Sequence, residues 1–207
     1  LVTYKSKGYV RSYRALVDTV QNAESSIEGT DLRLTLAIAR SYHKLLSVKD
    51  EYEVARLYTD KRFKESLEST FEGSYRLKLN LAPPSMSKLS RKNSTIKKRA
   101  FGGWIFPLFR IMTLFRRIRG TVLDPFRYSK DRAFDQQLVR DYEQTVSNLC
   151  AGLSASNLDA AIEIALLPLS IRGFGHIKSA NANKTKMTAE KLWSEFEMLP
   201  VNVEDAA

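Results

Sequence analysis

Cysteine is nearly absent from this chain: Cys150 is the only one in 207 residues. One thiol closes no internal disulfide, holds no iron–sulfur cluster and completes no structural zinc site. The cytoplasm is therefore the expected compartment. Histidine is almost as scarce, with His43 and His176 alone. His43 lies ten residues before Glu53, so the Glu-x-x-His spacing of helical metal sites is missing. No apolar run suits a bilayer. The richest, FGGWIFPLFRIMTLFRRIRG (101–120), is interrupted by Pro107 and Arg110 and is too charged for a span of about 20 apolar residues. The N-terminus has lysines but no signal-peptide core. It lacks an initiator methionine and starts in mid-pattern, as a domain of a longer chain would. Acidic residues are missing altogether between Glu72 and Asp124, where twelve lysines and arginines fall.

That basic segment accounts for the formal net charge of +10. A balance of this sign admits nucleic acid, anionic lipid or an acidic protein as partner, and says little about fold. Aromatic residues stand close by, Tyr75, Phe101 and Trp104, as a single-strand binder would use for stacking. No nucleic-acid motif accompanies them, and a solvated loop or a protein contact explains the same charges.

Apolar periodicity predicts a mainly α fold, a helical bundle-like domain with one small β-hairpin. Residues 9–27 place Tyr9, Tyr13, Leu16, Val17 and Val20 on one helical face. Gly29 stops that helix, and Thr30 or Asp31 can cap the next. Leu32 to Tyr58 reads as helix, with Leu32, Leu36, Ala39, Tyr42 and Leu46 as its stripe and a break near Ser47–Lys49. A shorter helix runs from Lys61 to Phe71. SYRLKLNLAPP (74–84) then alternates with period two, a strand that Pro83 and Pro84 end. STIKKRAF (94–101) is its candidate return. Helix resumes at Trp104, at Lys130, after Ser154 or Ser156 as cap, and at Lys178. The expected layout is a linking helix over 1–28, a main domain over 29–200 with a basic hairpin and loop at 74–101, and an acidic tail over 201–207.

Three strings carry chemistry-bearing residues. In KDEYEVARLYTDKRF, Asp50, Glu51 and Glu53 crowd one region, with Arg56 three residues after Glu53. Paired carboxylates serve acid–base chemistry, but at this spacing a helical Glu53–Arg56 or Tyr52–Arg56 pair is the simpler reading. In LDPFRYSKDR, Asp124-Pro125 initiates a turn, and Asp131–Arg132 can cap and pair at the next helix. SIRGFGHIKSAN (170–181) is the most suggestive. A phosphate cradle needs a strand before the glycine loop, and a helix precedes this one. No nucleophile elbow is present for a Ser–His–Asp set. His176 as general base with Arg172 as anion clamp stands against a glycine turn. In that turn Gly173 and Gly175 supply backbone freedom, His176 and Lys178 open a helix, and Arg172 pairs with a carboxylate.

Taken together, KDEYEVARLYTD, LAPP, FGGW, IRGTVLDPF and LPLSIRGFGHIKSAN occur in one order and at compatible spacing. They resemble the C-terminal region of the indolepyruvate ferredoxin oxidoreductases, within the 2-oxoacid:ferredoxin oxidoreductase family. The opening stretch, YVRSYRALVDTVQNAES, resembles the end of the domain before it. The likeness spans nearly the whole chain. It departs at Gly103 of FGGW, where the family pattern has proline, and SMSKLSRKNSTIKK corresponds to a variable loop.

The resemblance implies a parent oxidoreductase that decarboxylates arylpyruvates to acyl-CoA. It would use thiamine diphosphate, magnesium, coenzyme A and iron–sulfur clusters, deliver electrons to ferredoxin, and work as a homodimer away from membranes. This chain has no Gly-Asp-Gly for a thiamine diphosphate site and no cysteine set, so no catalytic, cofactor-binding or metal residue is expected in it. The expected role is an accessory domain that packs on the catalytic domains of the same polypeptide. Arg172, His176 and Lys178, with Arg119 and Asp124, are the candidate polar site or interdomain seam. Asp50, Glu53, Arg56, Gly173 and Gly175 are the candidate structural residues. The competing expectation is a basic module that binds nucleic acid or an acidic protein through residues 76–119.

Overall fold

A computed structural model describes residues 7–48, 51–81, 99–118, 121–126, 129–173 and 175–199. Among them are eight α-helices and one two-stranded antiparallel hairpin. In chain order these are α1 (Lys7–Ser25), α2 (Arg33–Leu46), α3 (Glu51–Thr59), α4 (Lys61–Thr70), β1 (Leu79–Leu81), β2 (Arg99–Phe101), α5 (Ile105–Leu114), α6 (Lys130–Ala151), α7 (Leu158–Leu166) and α8 (His176–Met198). Short 3₁₀ turns follow α5 at Phe115–Ile118 and α7 at Leu167–Ser170. The fold is mainly α, as the periodicity predicts. No helix among the described residues is long and apolar enough to cross a membrane. The loop 82–98 and the tail 201–207 lie outside the described residues.

The chain divides into two compact units, one made of residues 1–48 and 133–207 and the other of residues 49–132. The first unit has the larger core. Val20, Leu34, Ile38, Tyr42, Val146, Leu149 and Ile164 are each at most 2% exposed, and burying each such side chain contributes roughly 1.5–3 kcal/mol. Residues 1–28, read from sequence as a link, supply α1 to this unit, where Val20 and Glu24 are fully buried.

The buried face of α2 differs from the expected stripe. Leu34, Ala37, Ile38, Ser41, Tyr42, Leu45 and Leu46 face inward, while Leu36 is 51% exposed. The inward residues recur at steps of three and four along RLTLAIARSYHKLL, a fuller stripe than the expected one, and Leu36 lies off it. This stripe packs against α1 and α7.

Three tyrosines line this core. Tyr13 stacks on Tyr42 at 5.8 Å between ring centres, and Tyr142 tilts against Tyr42 at 6.3 Å. Their hydroxyls donate to the Ala39 carbonyl at 3.1 Å, the Glu143 carboxylate at 2.5 Å and the Ala165 carbonyl at 2.9 Å, respectively. Burial raises all three phenols above the ordinary 10.0, and for Tyr42 the Glu143 carboxylate adds to the effect. A phenol raised in the folded state contributes stability that is complete below the unfolded value and is lost as pH rises through the folded one. Above pH 10, phenolate absorbance from Tyr42 and Tyr142 is therefore expected to appear together with loss of helical circular dichroism. All tyrosines ionising near pH 10 while the helices persist would contradict this.

The second unit has a smaller core. Ala55, Leu79, Ile105 and Phe109 are buried, with Tyr58, Leu81, Phe101, Phe106 and Met112 packed around them. Tyr58 of α3 stacks on Phe109 of α5 at 5.9 Å. The α4 helix starts at Asp60, whose side chain accepts from the Arg62 N–H at 3.0 Å. It buries no residue and presents Lys61–Glu65 and Lys64–Glu68 pairs to solvent, which contribute a few tenths of a kcal/mol each. Among the described residues of the expected strand over 74–84, Leu79–Leu81 enters the ladder, with Leu79 opposite Phe101, Asn80 opposite Ala100 and Leu81 opposite Arg99; residues 82–84 lie outside them. Alternation describes an extended chain, whereas a strand also needs a partner, and β2 offers just Arg99–Phe101. The remainder of the expected return strand falls outside the described residues.

Candidate functional site

The suggestive loop of the first unit is a clamped turn. The chain leaves the 3₁₀ turn at Ser170 and enters α8 at His176. Between them Gly173 has φ +98° and Gly175 φ +54°, backbone that L-residues with a Cβ rarely adopt. Lys44 of α2 supplies the clamp. Its Nζ donates to the carbonyls of Pro168, Leu169 and Ile171 at 2.7, 2.9 and 2.9 Å. These belong to the orphan acceptors that every helix end leaves behind. Burial pushes the Lys44 ammonium below its usual value, and the charges of Arg172 and Lys178 push in the same direction.

The candidate polar residues of this loop therefore divide. Lys178 is ion-paired with Asp135 and largely buried. Arg172 is exposed, and its Nε donates to the Leu169 carbonyl at 3.3 Å instead of meeting the expected carboxylate. The Arg172 carbonyl accepts from Asn181 Nδ2 at 2.8 Å, which ties the turn to α8. His176 is exposed on the first turn of α8. That helix begins at His176, as the turn reading expects, with Gly175 at its cap position. Gly173→Ala is expected to cost on the order of 1–2 kcal/mol in urea unfolding, mainly through the positive φ. Its Cβ would also stand 2.7 Å from Ile177 Cγ2 and 3.2 Å from Ile177 Cβ, so the first turn of α8 must shift and the clash adds to that cost. A variant as stable as the parent would remove the conformational argument.

In the second unit, Asp124 is the centre of a buried polar network. It is 1% exposed. Its carboxylate accepts from Tyr52 Oη at 2.9 Å, from the Phe126 N–H at 3.0 Å and from Arg132 Nη1 at 2.5 Å. Arg132 Nη2 also reaches Glu51 at 3.3 Å. The Phe126 contact is the Asx-turn geometry that Asp-Pro favours. Tyr52 meets Phe126 edge-on at 5.4 Å. On the next turn of α3, Arg56 grips Glu53 with two bonds of 2.9 and 2.7 Å and extends to Asp60 at 3.0 Å. Glu53 is buried and Arg56 keeps a quarter of its side chain exposed, so the pair is semi-buried. The alternative Tyr52–Arg56 pairing is replaced by Tyr52–Asp124. Asp50 and Arg119 lie outside the described residues, and Asp124 belongs to a different unit from Arg172, His176 and Lys178.

Two polar anchors gave no warning in the sequence. Glu24, fully buried, caps α2 from the preceding helix. Its oxygens accept from the Leu34 N–H at 2.9 Å, the Thr35 N–H at 2.7 Å, Thr35 Oγ1 at 2.6 Å and Thr30 Oγ1 at 3.1 Å. Neither Thr30 nor Asp31 occupies the cap position. Leu32 does, with φ +60°. Asn157 ties the turn between α6 and α7, accepting from the Ser154 N–H at 2.8 Å and donating to the Gly152 carbonyl at 2.8 Å. The expected serine cap of α7 is therefore replaced by an asparagine bracing the turn before it. Short polar residues near glycine announce a turn, but a carboxylate ten residues away does not.

Cys150 is half-buried and burial raises its thiol, the environment of an inert cysteine. No group of three or more potential metal ligands gathers among the described residues. Asp124, Glu53, Arg56 and Lys178 of the candidate set are held in ion pairs within the fold, while Arg172 and His176 are exposed. The structure thus defines a mainly helical protein whose charged interior residues hold its own architecture. The chain belongs to a family of unknown function, DUF6537, whose model matches residues 1–191. No curated protein and no solved structure matches it.

Proposed function

We propose that the chain is an accessory packing domain of a larger 2-oxoacid:ferredoxin oxidoreductase of the indolepyruvate type. One observation supports the accessory role: three of the five strings that carry the resemblance coincide with polar braces of the fold. KDEYEVARLYTD contains Tyr52, Glu53, Arg56 and Asp60, IRGTVLDPF contains Asp124, and LPLSIRGFGHIKSAN contains the carbonyls gripped by Lys44. Polar residues recur in such strings because a buried donor or acceptor without its partner costs about 1–3 kcal/mol, with no catalytic demand on them. In this reading oxidative decarboxylation, thiamine diphosphate, magnesium, coenzyme A, the clusters and the contact with ferredoxin belong to other domains of a homodimeric enzyme. Arg172 and His176 form the exposed part of an interdomain seam.

The test uses the whole polypeptide that carries this chain. It is expected to oxidise indolepyruvate in a coenzyme A-dependent reaction with a viologen dye in place of ferredoxin. His176→Ala is expected to slow that turnover several-fold without changing the melting temperature. Absence of any coenzyme A-dependent 2-oxoacid oxidation would overturn the proposal, and unchanged turnover in the variant would remove the seam.

A second reading, a basic module for nucleic acid over residues 76–119, draws on the 20 lysines and arginines against nine acidic residues within 49–132. It expects duplex DNA binding with a steep salt dependence, and no binding at moderate salt would sink it.

A further inference from the structure

We infer that the exposed face of α5 is a docking surface for a protein patch with an apolar centre and an acidic rim. Trp104, at the start of α5, is 64% exposed, Leu108 45%, Ile111 51% and Phe115, just after its end, 51%. They follow one another at i, i+4, i+7 and i+11, the spacing that aligns side chains on a single helical face. Leu114 widens the stripe at 76% exposure. The other side of the same helix carries Ile105 and Phe109, buried at 4% and 5% in the core of the unit. A helix apolar on both sides is normally covered on both. Here one side is covered by α3 and the hairpin and the other faces water. Phe101 of β2 meets Trp104 edge-on at 5.8 Å and carries the apolar surface onto the hairpin. Contiguous exposed patches of this kind mark interaction sites, and tryptophan is among the residues that dominate binding energy at interface centres.

Charge selects the partner. No acidic residue occurs from Gly73 to Leu123, and Arg110 on α5, Arg99 on β2, and Arg76 and Lys78 before β1 are exposed. Complementarity therefore asks for carboxylates around the partner's apolar centre. A second copy of the chain docking through the same face would set this basic surface against itself. A nucleic acid would use the basic rim and Trp104 but leave Leu108 and Ile111, the middle of the stripe, without a stacking or phosphate role. The accessory-domain reading says nothing about which face is used; the inference rests on it only for the identity of the protein that owns the acidic patch.

The experiment titrates the 207-residue chain with a labelled amphipathic helical peptide of about five turns, leucine on one face and glutamate beside it. The expected result is saturable binding that weakens with salt and shifts Trp104 emission to the blue. Ile111→Glu and, separately, Leu108→Gln are expected to weaken binding at least about tenfold, which is about 1.4 kcal/mol. Both positions are exposed, so melting temperatures stay close to that of the parent chain, and the milder Leu108→Gln keeps the test valid if Ile111→Glu perturbs the helix. Variants that bind as the parent does, or a sequence-scrambled peptide that binds equally well, would overturn the inference. So would tighter binding of oligothymidylate that the same substitutions abolish, or a dimer of the chain that they dissociate. The peptide result does not depend on any parent enzyme. Lack of 2-oxoacid oxidation by the whole polypeptide would therefore leave this surface standing, and failure of the peptide would leave the enzyme reading standing.

Discussion

Asp124→Ala is expected to destabilise the unit formed by residues 49–132 by about 3–5 kcal/mol, the range for breaking a buried ion pair from one side. Among the described residues, the apolar core of that unit has Ala55, Leu79, Ile105 and Phe109 as its buried members, so its polar braces carry a large share of its stability. Removing the carboxylate takes a 2.5 Å ion-pair partner from Arg132, whose side chain is 16% exposed, and leaves it the Glu51 contact at 3.3 Å. It also strips the acceptor from the Tyr52 hydroxyl and the Phe126 N–H. Asp124→Asn keeps the shape and one oxygen for those two donors but gives up the charge. Its cost should be smaller, which separates the ion pair from the turn. Hydrogen exchange under native conditions measures the two units separately. The expected outcome is lost protection in α3 and α5 with protection in α7 and α8 retained. A loss below about 1 kcal/mol would mean that water takes over the role of the carboxylate.

Glu24→Ala is the second large effect, expected at about 3 kcal/mol and confined to the first unit. Glu24 is 0% exposed and has no lysine or arginine beside it in its hydrogen-bond set. The N-terminus of α2 takes the place of a cation, since its free N–H groups and helix dipole favour a negative charge at that point. The substitution orphans the Leu34 and Thr35 amides inside the protein, each costing about 1–3 kcal/mol, and opens a cavity against Val20. It also removes the contact that holds the first turn of α2 next to Leu32, a non-glycine residue at φ +60°. Glu24→Gln preserves the volume but turns an NH₂ toward N–H donors, so it should recover only part of the loss. Urea unfolding followed by circular dichroism tests both variants. A Gln variant equal to the parent would show that the negative charge contributes nothing.

The helices were largely legible because their period is local. The boundaries of α1, α4, α6 and α8 fall within a few residues of what apolar spacing predicts. Where sequence reading failed, a competing local pattern existed or the partner was distant. On α2 the stripe through Leu34, Ile38, Tyr42 and Leu45 was present at helical period, and Leu36 lies off it. On 74–81, alternation reported extended backbone, while pairing depended on β2. The Glu53–Arg56 pair was legible as an i,i+3 spacing, and the structure makes it semi-buried. Asp124 looked like an ordinary turn aspartate because Asp-Pro is sufficient to explain a turn. The acceptors of Lys44 lie 124 to 127 residues away, beyond any spacing rule.

Composition and order by themselves determined several properties of this protein: its mainly helical class, the concentration of positive charge between residues 73 and 123, and its lack of the cysteines for a cluster. Each is a sum or a short-range period, and neither depends on how the chain closes up. Only the tertiary structure decided that RGFGHIK is a turn gripped by Lys44, that Glu24 caps a helix it does not belong to, and that α5 keeps one apolar face buried and leaves the other to solvent. Those outcomes turn on which groups lose water and which partners meet them inside, and desolvation is a property of the packed molecule.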